Sequence, residues 1–256
     1  MGLFDKKYCD VCGERIGLLG NRKLEDGNLC KDCARKLSPW FSERRNSSVN
    51  EIKRQLEYRE ENRGRVEAFH ITRTLGSGTK LLLDEDAGLL MVTSAKNIAE
   101  ANPDVLALSD VTGCTLDVEE SSKELLHEDK DGNEVSYNPP RYEYSYDFYI
   151  IVNVNNPYFN EMRFRINPNS VEISPPPSIR PGVTLRFNPE TNAEYKKYKQ
   201  LGEEIRQILV KVRDDAREKI EQAAAPKTAV SCPYCGATTT PDASGCCEYC
   251  GGALMG

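Results

Sequence analysis

The spacing of apolar positions changes several times along the chain. In residues 1–46 they are sparse and broken by glycine. Gly17, Gly20 and Gly27 divide residues 15–28 as a short hairpin requires, and the polar stretch 31–37 can start a helix. Residues 47–61 take a helical period. Val49, Ile52 and Leu56 share one side, and Ser48 with Glu51 three positions on is a capping box. From 64 to 172 the period shortens to two. Residues 66–72 alternate and predict a strand, and 80–83 and 89–93 flank a hairpin turn at 84–88. Further strands are expected at 104–108, 114–118, 142–154 and 162–166. About seven short antiparallel strands predict a small barrel or sandwich. Pro175, Pro176, Pro177 and Pro181 make 171–183 a stiff connection rather than a strand interior. Asn188 and Thr191 are cap candidates for a long amphipathic helix. Its stripe is Tyr195, Tyr198, Leu201, Ile205, Ile208, Leu209, Val212, Ala216 and Ile220.

The expected architecture is α+β, divided as follows. Residues 1–46 form a small module and 47–63 a connecting helix. Residues 64–189 form the β domain, 190–223 the long helix, 224–231 a linker and 232–256 a second small module.

Composition narrows the function classes. The chain has 256 residues, a formal net charge of −6 and 29% charged residues. It lacks the overall basic balance of a nucleic-acid binder. No apolar h-region follows Met1, and no stretch approaches the length of a membrane span, so a cytoplasmic protein is expected.

The cysteines carry the chemistry. Eight of the ten fall into four C-x2-C pairs. Cys9, Cys12, Cys30 and Cys33 have the spacing of a zinc site, because two thiolates two residues apart can face one ion from a single tight turn. Knuckle, hairpin, then helix with ligands in its first turn is a treble-clef arrangement. Disulfides are the alternative and require an oxidising compartment. At the other end, Cys232-Pro-Tyr-Cys235-Gly and Cys247-Glu-Tyr-Cys250-Gly repeat one C-x-Tyr-C-Gly unit, as in a zinc ribbon. The repeat selects Cys247 over its neighbour Cys246, leaving Cys246 as a spare thiol. The expected cofactor is therefore zinc at two sites. Four thiolates leave no open position for a water, so both ions are expected to be structural. No catalytic set is readable, and an enzyme is not expected.

Other motifs read as scaffold. Gly76-Ser-Gly-Thr-Lys80 lacks the ending of a phosphate loop and is expected to be a turn. Residues 129–133 imitate a calcium loop, but Glu134 stands where glycine is needed, so a hairpin turn is expected. His70 and His127 have no readable partner. Cys114 is expected to be buried, and the acidic residues of 117–128 to form a solvated loop. Trp40 and Phe41 either close the small core of the first module or anchor a partner.

Three resemblances add to this. Cys9-Asp-Val-Cys12-Gly, residues 18–27, Cys30-Lys-Asp-Cys33 and Lys36-Leu-Ser-Pro-Trp-Phe41 resemble the N-terminal module of an uncharacterised bacterial family known only as a domain of unknown function. That resemblance implies a bacterial cytosolic protein with a zinc-binding head. The same cysteine spacing is similar to the zinc-binding head of the bacterial ClpX unfoldase, which in that family binds adaptors and dimerises. The element order of the middle, strands closed by a helix, is similar to pleckstrin-homology-like domains. The function expected is a non-catalytic zinc-binding adaptor that meets a protein partner, with oligomerisation through the long helix open. The alternative is nucleic-acid binding. There the basic first module (Lys6, Lys7, Arg15, Arg22, Lys23, Lys31, Arg35, Lys36, Arg44, Arg45) would meet phosphates, and Trp40, Phe41, Tyr234 and Tyr249 would stack on bases.

Overall fold

The computed structural model describes residues 6–174, 188–224, 229–242 and 244–254. The chain divides into two compact units, Met1–Asp214 and Asp215–Gly256.

The first unit opens with two small hairpins. β1 (Lys7–Tyr8) pairs with β2 (Arg15–Ile16), and β3 (Arg22–Lys23) with β4 (Asn28–Leu29). Helix α1 (Lys31–Arg35) follows. Cys30 caps it, its sulfur accepting the Cys33 backbone N–H. Helix α2 then runs Val49–Ala68 behind the expected capping box: Ser48 accepts from the Glu51 backbone N–H, and the Glu51 side chain accepts from the Ser48 N–H. Val49, Ile52 and Leu56 of α2 pack with Leu24, Leu29, Leu37 and Phe41 into the core of the first module. Phe41 is therefore a core residue. Trp40 is half-buried and lines a cleft instead.

Helix α2 is longer than its apolar period suggests. Its buried positions are Ile52, Gln55, Arg59, Asn62 and Val66, spaced three and four apart. Three are polar, so a hydrophobicity pattern misses them. The strand expected at 66–72 is thereby corrected. Residues 66–68 are the last turn of α2, and Val66 packs with Leu82, Met91 and Val105 on the first sheet.

That sheet is an antiparallel meander of β5 (Arg73–Leu75), β6 (Lys80–Asp84), β7 (Leu89–Thr93) and β8 (Val105–Ala107), in that order. Gly76 at φ +86° opens the β5–β6 turn, and no helix follows it. The short α3 (Ile98–Ala101) bridges β7 and β8.

The second sheet is built on β10 (Glu134–Val154). β9 (Val111–Glu128) pairs along one side, and β11 (Glu161–Arg165) and β12 (Val171–Ile173) along the other. Tyr146, Phe148, Ile150, Val152 and Val154 alternate inward. Helix α4 (Ala193–Ala224) covers that face. Tyr195 meets Phe148 and Tyr146 edge-on at 5.0 Å centroid distance. Gly202 lets the helix close on Leu116 of β9, where a Cβ would lie 2.5 Å from a Leu116 methyl. The buried heptad is Tyr195, Tyr198, Gly202, Ile205, Leu209 and Val212. Its cap is Asn192, whose side chain accepts from the Glu194 and Tyr195 N–H groups, while Asn188 caps the single 3-10 turn before it.

Three further expectations are corrected. Both sheets are open, with free edge strands, and no barrel closes among the described residues. The acidic stretch 117–128 is strand, not loop. Beyond Ser122 it pairs only with β10, as a two-stranded ribbon whose sides both meet water, so acids are tolerated there. Residues 171–173 are strand as well, paired to Tyr144–Tyr146. The proline-rich remainder of that expected connection, from Pro175 on, lies outside the described residues, as does 225–228 of the expected linker. The turn at 129–133 does form. The Asp129 carboxylate accepts the N–H groups of Asp131 and Asn133, and Gly132 sits at φ +81°.

In the second unit β13 (Val230–Ser231) pairs with β14 (Thr238–Thr239).

Candidate metal centres

The backbone of each knuckle is turned the same way. Gly13 donates to the Cys9 carbonyl at 2.8 Å, Gly236 to that of Cys232 at 2.9 Å and Gly251 to that of Cys247 at 2.8 Å. The three glycines sit at φ +75°, +71° and +71°. A residue bearing a Cβ is strained there, which is why these three C-x2-C pairs end in glycine, whereas Cys30 and Cys33 lead into α1 and are followed by Ala34.

These turns bring the sulfurs together. Cys9, Cys12, Cys30 and Cys33 hold theirs within 4.8 Å of one another, and so do Cys232, Cys235, Cys247 and Cys250. Cys12 and Cys30 bring their sulfurs to 3.7 Å, Cys232 and Cys250 to 3.6 Å, and Cys235 and Cys247 to 3.7 Å. A tetrahedron of thiolates about 2.3 Å from a central zinc has an edge of about 3.8 Å. A disulfide needs about 2.05 Å. The donor set therefore fits a tetrahedral, soft divalent ion, and none of the ten cysteines is bridged.

Charge points the same way. Burial raises the Cys9 thiol, but the backbone N–H groups of Cys12, Cys30 and Val11 outweigh it and bring it down to about 7. Cys232 comes down to about 7 likewise, with Cys235 and Tyr234 N–H groups acting against burial. The neighbours pay for this in charge crowding. Burial and the sulfurs of Cys30 and Cys12 push Cys33 up. Each cluster thus sets one lowered thiol, Cys9 or Cys232, beside one that its sulfur neighbours raise, Cys33 or Cys250, a crowding that a bound cation would relieve. Second contacts hold the sulfurs in place: the Cys30 N–H donates to Cys9 Sγ and the Cys33 N–H to Cys30 Sγ, both at 3.3 Å.

Cys246 lies outside the second cluster. Its sulfur reaches the Ser244 carbonyl at 3.7 Å, and its backbone bridges to Ala253. Tyr234 and Tyr249, one on each ribbon knuckle, are 72% and 73% exposed. Cys114 is buried on β9, and burial raises its thiol to about 11. His70 is exposed, and its backbone N–H donates to Asp84. His127 stacks on Tyr137 at 4.6 Å. Neither histidine belongs to a cluster.

Sequence reasoning missed a polar joint between the first module and the β domain. Arg59 donates to Asp104 at 2.7 Å, to the Lys36 carbonyl at 3.2 Å, and to the Asn102 carbonyl. Ser38 donates to the other Asp104 oxygen at 2.8 Å. Asn62 binds Asn102, the Pro103 carbonyl and the Val105 N–H. The Arg59 and Asp104 side chains are 7% and 0% exposed. A nearby hollow of about 370 Å³ is lined by Trp40, Thr93, Phe164 and Arg165 among others.

A family described as "Domain of unknown function (DUF4428)" matches residues 7–55. That stretch takes in both hairpins, α1 and the first turns of α2, including Ile52, which completes the core of the module. No curated protein and no solved structure matches the chain. No helix among the described residues is long and apolar enough to cross a membrane.

Proposed function

We propose that this chain is a bacterial, cytoplasmic adaptor without catalytic activity. Two structural zinc ions fold its ends, a treble-clef-like module and a ribbon, to present surfaces to a protein partner. The β domain between them is pleckstrin-homology-like, a reading supported by two open antiparallel sheets followed by a helix lying across the second. One observation carries the proposal: each cluster gathers four protein sulfurs within 4.8 Å of one another, a complete donor set for a tetrahedral ion. Such a site binds its ion without room for water or substrate, so the ion's energy goes into shape. Structural zinc supplies about 10–16 kcal/mol at neutral pH, more than modules this small can draw from their apolar cores.

Zinc-edge X-ray absorption tests the closed site. Four sulfurs near 2.3 Å are expected, and a nitrogen or oxygen ligand on either ion overturns it. The adaptor role is tested by using zinc-replete and chelated protein as bait. Partner capture that survives chelation unchanged removes the metal modules from the interaction.

The exposed Tyr234 and Tyr249 favour a second reading, in which the ribbon stacks on single-stranded nucleic acid. Salt-sensitive binding of an oligonucleotide, lost in Tyr234→Ala/Tyr249→Ala, supports it. No binding at about 50 mM salt removes it.

A further inference from the structure

The tip of the first module is built unlike the rest of its surface. Gly17-Leu18-Leu19-Gly20 joins β2 to β3 as a tight turn, closed by the Gly20 N–H on the Gly17 carbonyl at 3.0 Å. Leu18 and Leu19 are 92% and 88% exposed, the two most exposed large apolar side chains described. Neither supports the core beneath, which Ile16, Leu24 and Leu29 fill. Two adjacent leucines at a turn tip form a contiguous apolar point in water rather than scattered exposed residues.

Basic residues follow on β3 and on the 3-10 turn beside it. Arg22 folds back under the tip, donating to the Leu19 carbonyl at 3.2 Å. Arg44, from the 3-10 turn Glu43–Asn46, donates to the Lys23 carbonyl at 2.9 Å, which brings that turn beside β3. Burial lowers the Arg44 pKa, and the charges of Arg22 and Arg45 lower it further. Glu43, on the same turn, is engaged with Asn46 at 3.0 Å and Ser42 at 3.5 Å. Among the described residues Arg22, Lys23, Arg44 and Arg45 form no ion pair. Residues 6–46 carry ten Lys/Arg against six Asp/Glu in a chain of net charge −6. Charges beyond about 8 Å are screened at physiological salt, so the local sign decides what this tip meets.

We propose that the tip docks the protein on an anionic membrane surface. Leu18 and Leu19 enter the boundary between headgroups and acyl chains, and Arg22, Lys23, Arg44 and Arg45 meet lipid phosphates. An apolar point with cations on the adjoining strand and turn suits that boundary, which is apolar inward and negative outward. A nucleic acid would use the cations and leave the leucines in water. The inference rests on the metal-folded module of the proposed function.

The test is vesicle sedimentation of full-length, zinc-replete protein. Vesicles of phosphatidylcholine with phosphatidylserine are compared with phosphatidylcholine alone. Retention on the anionic vesicles only is expected. Leu18→Ser/Leu19→Ser should weaken it by about tenfold or more, since burying one leucine already accounts for about that factor. Lys23→Glu/Arg45→Glu should abolish the preference for anionic lipid. All three proteins should carry equal zinc and give the same circular dichroism, which separates a failed docking surface from a failed metal site. No retention of zinc-replete protein on anionic vesicles overturns the proposal. So does equal retention of the leucine variant, or binding to an oligonucleotide in place of vesicles.

Discussion

Replacing Arg59 by methionine removes the hinge pin between the first module and the β domain while keeping most of the side chain's apolar bulk. Three hydrogen bonds go with it, to the Asp104 carboxylate and to the carbonyls of Asn102 and Lys36. The charged bond contributes about 1.5–3 kcal/mol and the other two about 1 kcal/mol each. The total, about 4 kcal/mol, lies within the range for breaking a buried pair and leaving one charge behind. Asp104 then keeps Ser38 as its side-chain partner, at 0% exposure. Urea unfolding reads the effect directly, because Trp40, the only tryptophan, donates its backbone N–H to Ser38 Oγ and so reports on this joint. A slope of about 2 kcal/mol/M places the variant's midpoint roughly 2 M lower. Adding Asp104→Leu should recover much of the loss, since a buried pair replaced by apolar side chains is often neutral. The pH dependence has a fixed sign. Burial raises the Asp104 carboxyl, with the Arg59 charge and the Ser38 hydrogen bond opposing it. Without Arg59 the carboxyl rises further. A folded-state pKa above the unfolded value gives stability that is complete below the unfolded value and lost as pH climbs through the folded one. The Arg59→Met deficit therefore narrows on acidification and widens toward neutral pH. A loss under about 1 kcal/mol, or a deficit that grows on acidification, refutes the reasoning.

Other consequences are as direct. In zinc-replete protein, iodoacetamide should modify Cys246 first. Cys114, raised to about 11 by burial, should react slowly, and the eight clustered cysteines only after chelation; mass spectrometry reads the order, and early labelling of Cys247 would reverse its assignment. Ser48→Ala should cost about 1 kcal/mol by removing the α2 cap, measured by thermal unfolding. The same cap makes a pH prediction. The Ser48 N–H and hydroxyl lower the Glu51 carboxyl, so its support is present above the unfolded pKa and lost as pH falls through the folded one, a loss absent in Glu51→Gln. Gly202→Val should cost about 1–3 kcal/mol, because the added atoms collide with Leu116, whereas Leu116→Ala should restore Gly202→Val.

The two four-cysteine clusters were legible because their signal is chemical and local. Thiolate spacing within a knuckle and the glycine after it survive any tertiary arrangement. The repeat of C-x-Tyr-C-Gly separated Cys247 from Cys246 with no structure at all. The hairpin of β6 and β7 and the core strand β10 were legible for the same reason, an apolar period that matches a buried face. What failed were elements stabilised by polar pairing. Gln55, Arg59 and Asn62 give the second half of α2 no apolar stripe, so the helix is expected to end before its last turn, 66–68, which falls into the expected strand, although the Arg59–Asp104 pair and the Asn62 bonds hold the helix in place. The acidic half of β9 carries little hydrophobic alternation because neither side of its ribbon is covered. Gly202 breaks the apolar stripe of α4 at the point where the helix comes closest to Leu116.

The central claim is two thiolate-held zinc ions per chain, and metal analysis paired with thiol titration addresses it most directly. Protein purified under reducing conditions should carry two zinc ions, and after denaturation with chelator all ten cysteines should titrate as free thiols. One zinc or none in folded protein, or fewer than ten free thiols because sulfurs are bridged, contradicts the account.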